Sequence, residues 1–574
     1  MKRLWLIAAV ICLWSTLPFA QSHEELVNDG KNTENVLTQS MGYDRKNFSP
    51  LSQINKSNVR RLVPIWSTSL MNDAGELASP TIYNGVMYVI NGRWTFAIDV
   101  ATGNQLWRTP VDADPAVTRV SLFGAITRGA ATIYNGKLFR VSIDNHLLAL
   151  DMKTGKVMWN QQFADFKEGY SATGAPIVAN GVVISGMAGG EFTTRGFLDG
   201  WNPDTGQKMW RRYTIPAPGE PGSETWPKNS DAWAQGGGST WRSGSYDPEL
   251  DLVYYGVGNP SPYNAEQRPG DNKWTGSVLA RRPGDGALVW AYQFTPHDNW
   301  DYDAVSSMVL ADVKIGGRAR KALVTFNKNG FQYTLDRATG EVLAAAPYVQ
   351  VSWARGIDLK TGKPVLDSTK QTGASKGNVK DVCPSLEGGV SPASPPAYSP
   401  RTGWFYTSTN NMCMDFAATP AQHVRGTPYI GAGTPYHAGP GGHLGSFMAW
   451  DASTGKKVWE NTEHFPNWSG ALVTAGDVAF YGTLDGWFKA VDARTGKLLS
   501  KFKVGSGVVG NPITYLGPDG KQYVAVYAGI GGDWFLLAGD VRSDDPADVR
   551  PPSDPYKDIG RHTSQGGIVW IFGL

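Results

Sequence analysis

One repeated pattern constrains the fold of this chain more than any other feature. It reads Ala, any residue, Asp, two of any, Thr, Gly, three of any and Trp, and it is complete over residues 97–107, 149–159 and 449–459. Looser copies lie at residues 200–210 and 280–290, and partial copies without the Trp follow Thr334 and Ala490. Alternating apolar segments precede the copies, so the repeating unit is a strand, a tight turn and a second strand.

The spacing of the repeat predicts the architecture. Most neighbouring copies start 41 to 54 residues apart, which fits one four-stranded blade per repeat. Two gaps of 80 and 115 residues leave room for inserted loops and at least one degenerate blade. We therefore predict an all-β fold, an eight-bladed β-propeller with tryptophan docking motifs, and seven blades is the alternative. The repeat tryptophans are expected to pack between blades and to take no part in chemistry.

The first 20 residues have the features of a secretory signal peptide. Two basic residues precede a short apolar run, which ends in Leu17, Pro18, Phe19 and Ala20 before a polar stretch. We expect cleavage after Ala20, which leaves residues 21–574 as a single propeller domain in the periplasm. No later segment is long and apolar enough to cross a bilayer.

Two cysteines remain after this cleavage, Cys383 and Cys413. Because disulfides form in oxidising compartments, we expect one disulfide between them. Two buried free thiols are the alternative.

Four segments outside the repeat carry polar residues where a blade would have apolar ones. They surround Glu191, Asn259, the pair Asp301 and Asp303, and Lys328. One Glu, one Asn and two Asp supply oxygen ligands of the kind that bind calcium or a similar ion, and no thiolate or imidazole cluster suits zinc or copper. Taken singly, each of these residues is more typical of a turn.

The repeat and these segments resemble the quinoprotein alcohol dehydrogenases over nearly the whole mature chain. The segments GGEFTTRGFLDGW, GVGNPSPYN, TPHDNWDYDAV and TFNKNGFQYTLDR are similar to the methanol and ethanol dehydrogenase branch in order and local context. The resemblance implies a pyrroloquinoline quinone (PQQ) cofactor held against a metal ion. It makes Glu191 and Asn259 metal ligands, Asp301 the catalytic base in contact with the metal, and Lys328 a cation beside the reacting quinone carbonyl.

Further local motifs extend the cofactor site that the resemblance implies. The residues that match cofactor contacts of the family are Arg128, Thr173, Gly189, Gly190, Glu191, Trp241, Asn410 and Trp468. In the family pattern, Arg128 and Thr173 bind the carboxylates of the quinone, and Trp241 forms the floor under its ring. A core aromatic is the alternative for Trp241. The two glycines let backbone amides approach the cofactor closely.

Three places depart from the family pattern. Leu122 and Phe123 stand where most close relatives have two adjacent cysteines over the quinone; this stretch is more similar to sorbose and sorbosone dehydrogenases and suggests a polyol or bulky secondary alcohol. Leu77, beside Glu76, stands where the family has an acid, so that contact is not carried over.

Asp303 matches lanthanide-type enzymes, and a third carboxylate favours a trivalent ion. Capping of a turn is the alternative for Asp303.

These features predict a periplasmic dehydrogenase that oxidises an alcohol by hydride transfer to PQQ bound to a lanthanide or Ca²⁺ ion. No Cys-x-x-Cys-His motif occurs, so a separate soluble cytochrome c is the expected electron acceptor. The 53 basic and 51 acidic residues nearly balance, with no run of five like charges, which gives no reason to expect nucleic acid as a partner.

Two other functions compete with this one. A PQQ-dependent sugar or aldehyde dehydrogenase of the sorbose type is the nearer alternative. A non-catalytic propeller scaffold, like the outer-membrane assembly lipoproteins that share the docking repeat, is the remote one, since a scaffold needs no convergent Glu, Asn, Asp and Lys. A homodimer is compatible with the sequence.

Overall fold

The structure is a computed structural model, and it describes residues 21–72, 75, 77–119, 127–392, 394–531 and 554–574. Within these residues the chain is almost entirely β. The α-helix α1 spans His23–Val27, and the other helical segments are short 3-10 turns. These turns are Asp29–Lys31, Val59–Arg61, Pro115–Arg119, Phe166–Glu168, Ser223–Thr225, Ala232–Ala234, Ala265–Gln267, Ser368–Lys370, Ala374–Lys376 and Ile559–Arg561. None of the described helices has the length and apolar character needed to cross a membrane.

The strands follow one another closely along the chain. The first 18 are β1 (Phe48–Ser49), β2 (Val63–Ser69), β3 (Thr81–Tyr83), β4 (Val86–Ile90), β5 (Trp94–Asp99), β6 (Gln105–Pro110), β7 (Thr132–Tyr134), β8 (Lys137–Ser142), β9 (His146–Asp151), β10 (Val157–Gln162), β11 (Ile177–Ala179), β12 (Val182–Gly186), β13 (Phe197–Trp201), β14 (Lys208–Tyr213), β15 (Ser245–Asp247), β16 (Leu252–Gly256), β17 (Ser277–Arg281) and β18 (Leu288–Gln293). The remaining described strands are β19 (Val309–Ile315), β20 (Arg318–Phe326), β21 (Phe331–Asp336), β22 (Val342–Pro347), β23 (Ala354–Asp358), β24 (Lys363–Leu366), β25 (Asn378–Val382), β26 (Ala397–Ser399), β27 (Trp404–Asn410), β28 (Met412–Ala418), β29 (Ala432–Gly433), β30 (Tyr436–Ala438), β31 (Gly445–Asp451), β32 (Lys456–Glu463), β33 (Leu472–Thr474), β34 (Val478–Gly482), β35 (Trp487–Asp492), β36 (Leu498–Lys503), β37 (Ile513–Leu516), β38 (Gln522–Ala528) and β39 (Ile568–Gly573).

Eight sheets of the described chain share one topology, four strands paired antiparallel in a meander. Sheets I to V are β3–β6, β7–β10, β11–β14, β15–β18 and β19–β22, sheet VI is β26, β27, β31 and β32, sheet VII is β33–β36, and sheet VIII is β37–β39 with β2. Strand β1 adds to sheet VII in parallel with β33. The all-β class predicted from the repeat is confirmed.

Sheet VIII is built from both ends of the chain. Its strand β2 pairs with β39, so that Val63 lies opposite Gly573 and Ser69 opposite Ile568. No copy of the Asp-x-x-Thr-Gly turn occurs in this sheet, which is why the repeat reveals only the other seven. The two long gaps in the repeat hold insertions instead of a further sheet of this kind, including the hairpin β23–β24 and the group β25, β28, β29 and β30.

Tryptophans on the fourth strands contact the turn of the next sheet. Trp107 of sheet I donates from Nε1 to the carbonyl of Met152 at 3.1 Å, and its ring covers Gly155 in the turn of sheet II. Five other tryptophans donate in the same way, at 3.0 to 3.3 Å, in the pairs Trp66 to Val100, Trp159 to Pro203, Trp210 to Pro283, Trp290 to Arg337 and Trp459 to Ala493. The repeat therefore joins sheets as well as building them.

The core lies between neighbouring sheets. Strand β5 is buried along its middle, whereas the fourth strand β6 alternates between exposed and half-buried positions. Side chains of adjacent sheets share clusters, as Phe96 of sheet I does with Phe480 of sheet VII and Val526 of sheet VIII. Because the middle strands are covered on both faces, their sequences are nearly continuous apolar runs.

We expect Gly155→Ala to destabilise the protein more than Gly403→Ala does. The two glycines have φ values of 70° and 72°, and forcing another residue into this left-handed region costs roughly 1–2 kcal/mol. A Cβ at Gly155 would also lie 2.5 Å from the Trp107 ring, whereas at Gly403 it would meet nothing within 4 Å. Denaturant midpoints of the two variants measure the difference. Equal midpoints would show that the tryptophan contact adds little stability.

Candidate active site

The site residues proposed from the sequence lie at one end of the sheets. In an antiparallel meander, the loops from second to third strand and the connections between sheets emerge at the same end. Glu191, Asn259 and Lys328 lie on the second-to-third loops of sheets III, IV and V, and Asp301 lies on the connection between sheets IV and V. The Asp-x-x-Thr-Gly turns join third to fourth strands and therefore lie at the opposite end.

A cavity of about 250 Å³ lies among these loops. The sequence-predicted residues that line it are Arg128, Gly189, Glu191, Trp241, Asp301, Asp303, Lys328 and Trp468. The other four adjoin it, since Thr173 contacts Arg128, Asn259 contacts Asp303, Gly190 precedes Glu191, and Asn410 accepts a hydrogen bond from the Asn467 amide next to Trp468. The structure thus brings all twelve residues to one place.

Asp298 shapes the loop that presents Asp301. Its carboxylate accepts hydrogen bonds from the backbone amides of Trp300 at 2.8 Å and Tyr302 at 2.7 Å. Asp301, between those two residues, has a φ of 66°, a region that residues with a Cβ seldom occupy. The buried guanidinium of Arg268 donates to the carbonyl of Asp298 from behind. These bonds hold Asp301 at the cavity wall.

Lys328 joins two carboxylates at the centre of the site. Its Nζ donates to Oδ2 of Asp301 and to Oδ2 of Asp303, each at 3.0 Å, and all three side chains are less than a tenth exposed. The amide of Gly389 donates to the Lys328 carbonyl at 3.0 Å. A Cβ at Gly388 would lie 2.2 Å from Cγ of Lys328, so this glycine leaves the space that the lysine side chain fills.

Asp303 links three loops rather than capping its own turn. Its Oδ1 accepts a hydrogen bond from the amide of Asn259 at 3.0 Å and one from Nε1 of Trp241 at 3.4 Å. A Cβ at Gly258 would lie 2.6 Å from the same oxygen, so glycine leaves the space that this carboxylate fills. Its other oxygen binds Lys328. Asp303 therefore belongs to the buried charge cluster.

Burial and mutual repulsion shift the titration of this cluster. Burial raises the pKa of Glu191, and the negative charge of Asp303 raises it further. Burial also raises the pKa of Asp301 well above its usual value, although Lys328 opposes the change. Burial lowers the pKa of Lys328, but Asp301 and Asp303 outweigh it and the net shift is upward. Three carboxyl groups around one ammonium leave negative charge that a bound cation would stabilise.

Two buried oxygens of the cluster have no hydrogen-bond partner among the described residues. They are Oδ1 of Asn259 and Oδ1 of Asp301. Buried polar atoms are nearly always paired, and an unpaired one points to an ion, a water or a ligand. With the carboxylates of Glu191 and Asp303, they form the kind of oxygen-rich set that hard cations prefer. The residues present therefore fit a metal ion of this class.

The predicted cofactor residues outside the charge cluster suit a flat anionic molecule. The guanidinium of Arg128 lies 4.9 Å from the centre of the Trp241 ring, and its Nη1 donates to Oγ1 of Thr173 at 3.5 Å. The indole Nε1 of Trp468 and Nδ2 of Asn410 are buried donors without an acceptor in the described chain. A cation, an aromatic face and unpaired donors match a planar ring system that carries carboxylates.

The positions that depart from the family pattern are only partly described. Leu122, Phe123 and Glu76 lie outside the described residues. Leu77 is 2% exposed and packs in an apolar cluster with Trp468. Leu77 therefore lies beside the cavity and contributes apolar packing at the position where the family pattern has an acid.

Sequence reasoning missed one wall of the cavity. It consists of Leu386, Glu387, Ser391, Pro392, Ile430, Ala432, Thr434 and Tyr436. The expected disulfide between Cys383 and Cys413 is confirmed, with 4.4 Å between the Cα atoms. It ties the loop of Glu387 to β28, which pairs with the strand of Tyr436. The two cysteines were the one sequence signal near this wall, because its residues lie in an insertion without periodicity.

Comparison with known proteins identifies a family and several relatives of this chain. The family model described as "Glucose/ethanol/alcohol dehydrogenase, beta-propeller domain" matches residues 39–355 and 461–524. A lanthanide-dependent methanol dehydrogenase of Methylacidiphilum fumariolicum is 41% identical over 99% of this chain and 97% of its own length. A quinoprotein ethanol dehydrogenase of Pseudomonas aeruginosa is 36% identical, with coverage of 96% and 92%. The solved structure of a europium-containing methanol dehydrogenase superposes with a TM-score of 0.89 at 40% identity, covering 96% of this chain and all of that one.

Fold and site together define a β-propeller oxidoreductase of the quinone-dependent class. The chain belongs to the family of PQQ-dependent alcohol dehydrogenases. This confirms the enzyme class predicted from the sequence and removes the alternative of a non-catalytic scaffold.

The raised carboxyl pKa values make metal binding depend on pH. We expect the affinity of the metal-free protein for La³⁺ to fall on acidification well before ordinary carboxyl groups titrate, near pH 4, because Glu191 and Asp301 take up protons at higher pH and a protonated carboxyl cannot act as a ligand. Calorimetric titrations at neutral and successively lower pH measure this. An affinity that stays constant down to the ordinary carboxyl range would contradict the ligand set.

Proposed function

We propose that this protein is a periplasmic quinoprotein dehydrogenase that oxidises an alcohol to the aldehyde or ketone by hydride transfer to metal-bound PQQ. The observation that carries the proposal is the buried cluster of Asp301, Asp303 and Lys328 at the cavity wall, in which one oxygen of Asp301 has no hydrogen-bond partner in the described part of the chain. Relatives named as methanol and ethanol dehydrogenases support alcohol as the substrate class.

Asp301 is the proposed general base. Lys328 holds its Oδ2 at 3.0 Å, while Oδ1 has no partner among the described residues and has two lone pairs, one for the ion and one for the proton of the alcohol hydroxyl group. Burial raises the pKa of Asp301, which strengthens it as a base once it is ionised. The ammonium group of Lys328 opposes this rise in pKa, which favours the ionised form that a base needs, and it places positive charge beside the reacting atoms.

The cofactor site is proposed from the same geometry. Bound PQQ supplies hydride acceptance at a carbonyl that the metal ion polarises. Glu191, Asn259, Asp301 and Asp303 would hold the ion, and Lys328 would lie beside the quinone carbonyl. Residues that would hold the quinone are Arg128, Thr173, Gly189, Gly190, Glu191, Trp241, Asn410 and Trp468. Gly189, at a φ of 98°, leaves its backbone open to close approach.

Asp301→Asn tests the base. The amide keeps the shape of the side chain but cannot take the proton, so we expect kcat with a dye acceptor to fall about 10²- to 10⁴-fold, the usual contribution of a general base. Quinone content and thermal stability of the reconstituted variant are the controls, since they should stay near the wild-type values. A variant that keeps a tenth of the wild-type kcat would refute the assignment.

We propose that the ion is a lanthanide, with Ca²⁺ as the alternative. Asp303 adds a third carboxylate to those of Glu191 and Asp301, and sites of higher negative charge favour ions of higher charge. The likeness to a lanthanide-dependent and to a europium-containing methanol dehydrogenase supports this choice.

Asp303→Ala tests the lanthanide proposal. The variant loses one negative charge from the site, so we expect its affinity for La³⁺ to fall by a larger factor than its affinity for Ca²⁺. Competitive metal titration of the quinone-loaded protein measures both constants. The exposed Asp519, which is far along the chain on the β37–β38 turn, provides the matched control Asp519→Ala. Equal losses for the two ions would leave Ca²⁺ as the better choice.

Several wider features are proposals of the same kind. We propose that residues 1–20 are an export signal and that residues 21–574 form a single domain in the periplasm. A soluble cytochrome c is the proposed electron acceptor, and a homodimer is compatible with the sequence. We propose that the eight sheets form a closed eight-bladed ring, because Trp66 of sheet VIII contacts the turn of sheet I as Trp107 of sheet I contacts that of sheet II.

A sugar or aldehyde dehydrogenase is the second candidate. The observation that favours it is the sequence at Leu122 and Phe123, which is similar to the sorbose and sorbosone branch. Turnover of the reconstituted enzyme on alcohols, aldehydes and sorbose separates the two.

A further inference from the structure

The segment that carries the two acids of the site also contributes to the core. Asp301 and Asp303 line the cavity. Trp300 and Tyr302 are 1% and 0% exposed, and they belong with Trp353 to one apolar cluster. We propose that these three aromatic residues, called the aromatic anchor below, are positioning residues that hold the two carboxyl groups in place for the metal ion and for proton transfer. The inference rests on the proposed function and adds the residues that orient its acids.

The rings of the aromatic anchor contact one another. The planes of Trp300 and Tyr302 are 27° apart, with 5.6 Å between the ring centres. The ring of Trp353 lies 5.0 Å from that of Trp300 and 5.6 Å from that of Tyr302. Trp353 immediately precedes β23, the first strand of the insertion after sheet V. The anchor therefore joins the loop of the acids to this insertion.

Two donors of the aromatic anchor bind the backbone of the insertion. Nε1 of Trp300 donates to the carbonyl of Lys370 at 2.9 Å. The hydroxyl of Tyr302 donates to the carbonyl of Pro384 at 2.7 Å. Pro384 directly follows Cys383, which is one end of the disulfide. The loop of the acids is thus bonded to the insertion at two points, and one of these points adjoins the disulfide.

Trp353 connects the aromatic anchor to the loop of the lysine. Its Nε1 donates at 2.8 Å to the carbonyl of Asn329, the residue after Lys328. The side-chain amide of Asn329 donates in turn to the hydroxyls of Thr295 and Tyr333, at 3.1 Å each. The turn after Lys328 is therefore held on two sides. Trp353 links the segment of the lysine to the segment of the acids.

The backbone of Asp301 requires support of this kind. Its φ of 66° lies in a region that persists only where the surrounding structure determines it strongly. The carboxylate of Asp298 accepts from two amides of the same loop and thereby fixes the shape of that loop. The aromatic anchor fixes the place of the loop, because the residues on either side of Asp301 bind a different part of the chain.

The contacts of the two acids allow little displacement. Lys328 binds Asp301 and Asp303 at 3.0 Å each, close to the usual length of such a hydrogen bond. Metal and catalytic sites require their side chains to be held within about 0.5 Å of the productive geometry. Packing alone needs rings without donors, whereas each member of the aromatic anchor has a donor bonded to the backbone of another segment. Positioning of the acids explains these bonds.

Tyr302→Phe tests the aromatic anchor, because it removes one hydroxyl group and keeps the ring. We expect the affinity of the quinone-loaded protein for La³⁺ to fall about 10- to 100-fold, the usual effect of losing a residue that orients metal ligands. The kcat per bound quinone should fall as well, whereas KM for the alcohol should change less, because the described cavity wall does not include Tyr302. Calorimetric titration and steady-state kinetics measure these values.

Tyr254→Phe is the matched control. Tyr254 is 0% exposed, and its hydroxyl donates to the carbonyl of Arg337 at 2.8 Å. This bond lies at the Asp-x-x-Thr-Gly turn of sheet V, at the end of the sheets away from the cavity. The control loses the same kind of bond, so we expect a similar decrease in melting temperature, with the affinity for La³⁺ and kcat as in wild type.

A second pair of variants tests the aromatic anchor at Trp353. Trp353→Phe removes the bond to Asn329 and part of the ring contact, and it should show the same losses of La³⁺ affinity and kcat. Its control is Trp210→Phe, in which a buried indole loses a bond of 3.0 Å to the carbonyl of Pro283 at the opposite end of the sheets. This pair decides the question if Tyr302→Phe does not fold.

Two outcomes would overturn the aromatic anchor. The first is an affinity for La³⁺ in Tyr302→Phe equal to that of Tyr254→Phe, including the case in which only the melting temperature falls. The second is a loss of kcat that the controls share. Failure of the proposed function gives a different result, since a fully active Asp301→Asn would refute the base while the La³⁺ comparison would still decide the anchor.

Discussion

The packing of a tryptophan ring on the turn glycine of the next sheet is the contact on which the rest of this structure depends. A four-stranded meander exposes a wide apolar face on each side and cannot bury both alone. The indole covers a glycine that has no Cβ to obstruct it, and its Nε1 donates to a carbonyl of the same turn. This contact joins six pairs of neighbouring sheets at one end. The loops at the other end need not contribute to that packing, which leaves them available for polar residues.

The loops at that other end bring together buried charged groups, whose desolvation would be unfavourable if they were unpaired. Asp301, Asp303 and Glu191 lie within reach of one ammonium group, and desolvation raises the pKa of two of these acids. A protein tolerates such a cluster when its charges are paired and when a ligand completes it. Lys328 pairs with Asp301 and Asp303, whereas Oδ1 of Asn259 and Oδ1 of Asp301 have no hydrogen-bond partner within the described ranges. Stability of the apoprotein and binding of a cation are thus coupled through the same side chains.

Much of the fold and of the metal half of the site follows from local sequence. The Asp-x-x-Thr-Gly turns fix strand ends, and middle strands covered on both faces give apolar runs that a periodicity argument can read. Asp301 and Asp303 stand out because carboxyl groups interrupt such runs. The repeat did not predict sheet VIII, since this sheet is made from the two ends of the chain and has no turn of that type. Glu387 and Tyr436 were not predicted as cavity residues either, because they lie in an aperiodic insertion, where a lone acid is typical of a solvated loop.

The sequence by itself determined the all-β class, the repeat that sets sheet size, the disulfide partners, and the residue types of a quinone and metal site recognised by resemblance. Only the tertiary structure decided how β2 completes the last sheet, that Lys328 bridges Asp301 and Asp303, and that an insertion supplies Glu387 to the same cavity. The reason is physical. Strand and turn formation depend on neighbours a few residues away, whereas a buried charge cluster is assembled from loops of different sheets, and its distances exist only once those sheets have packed.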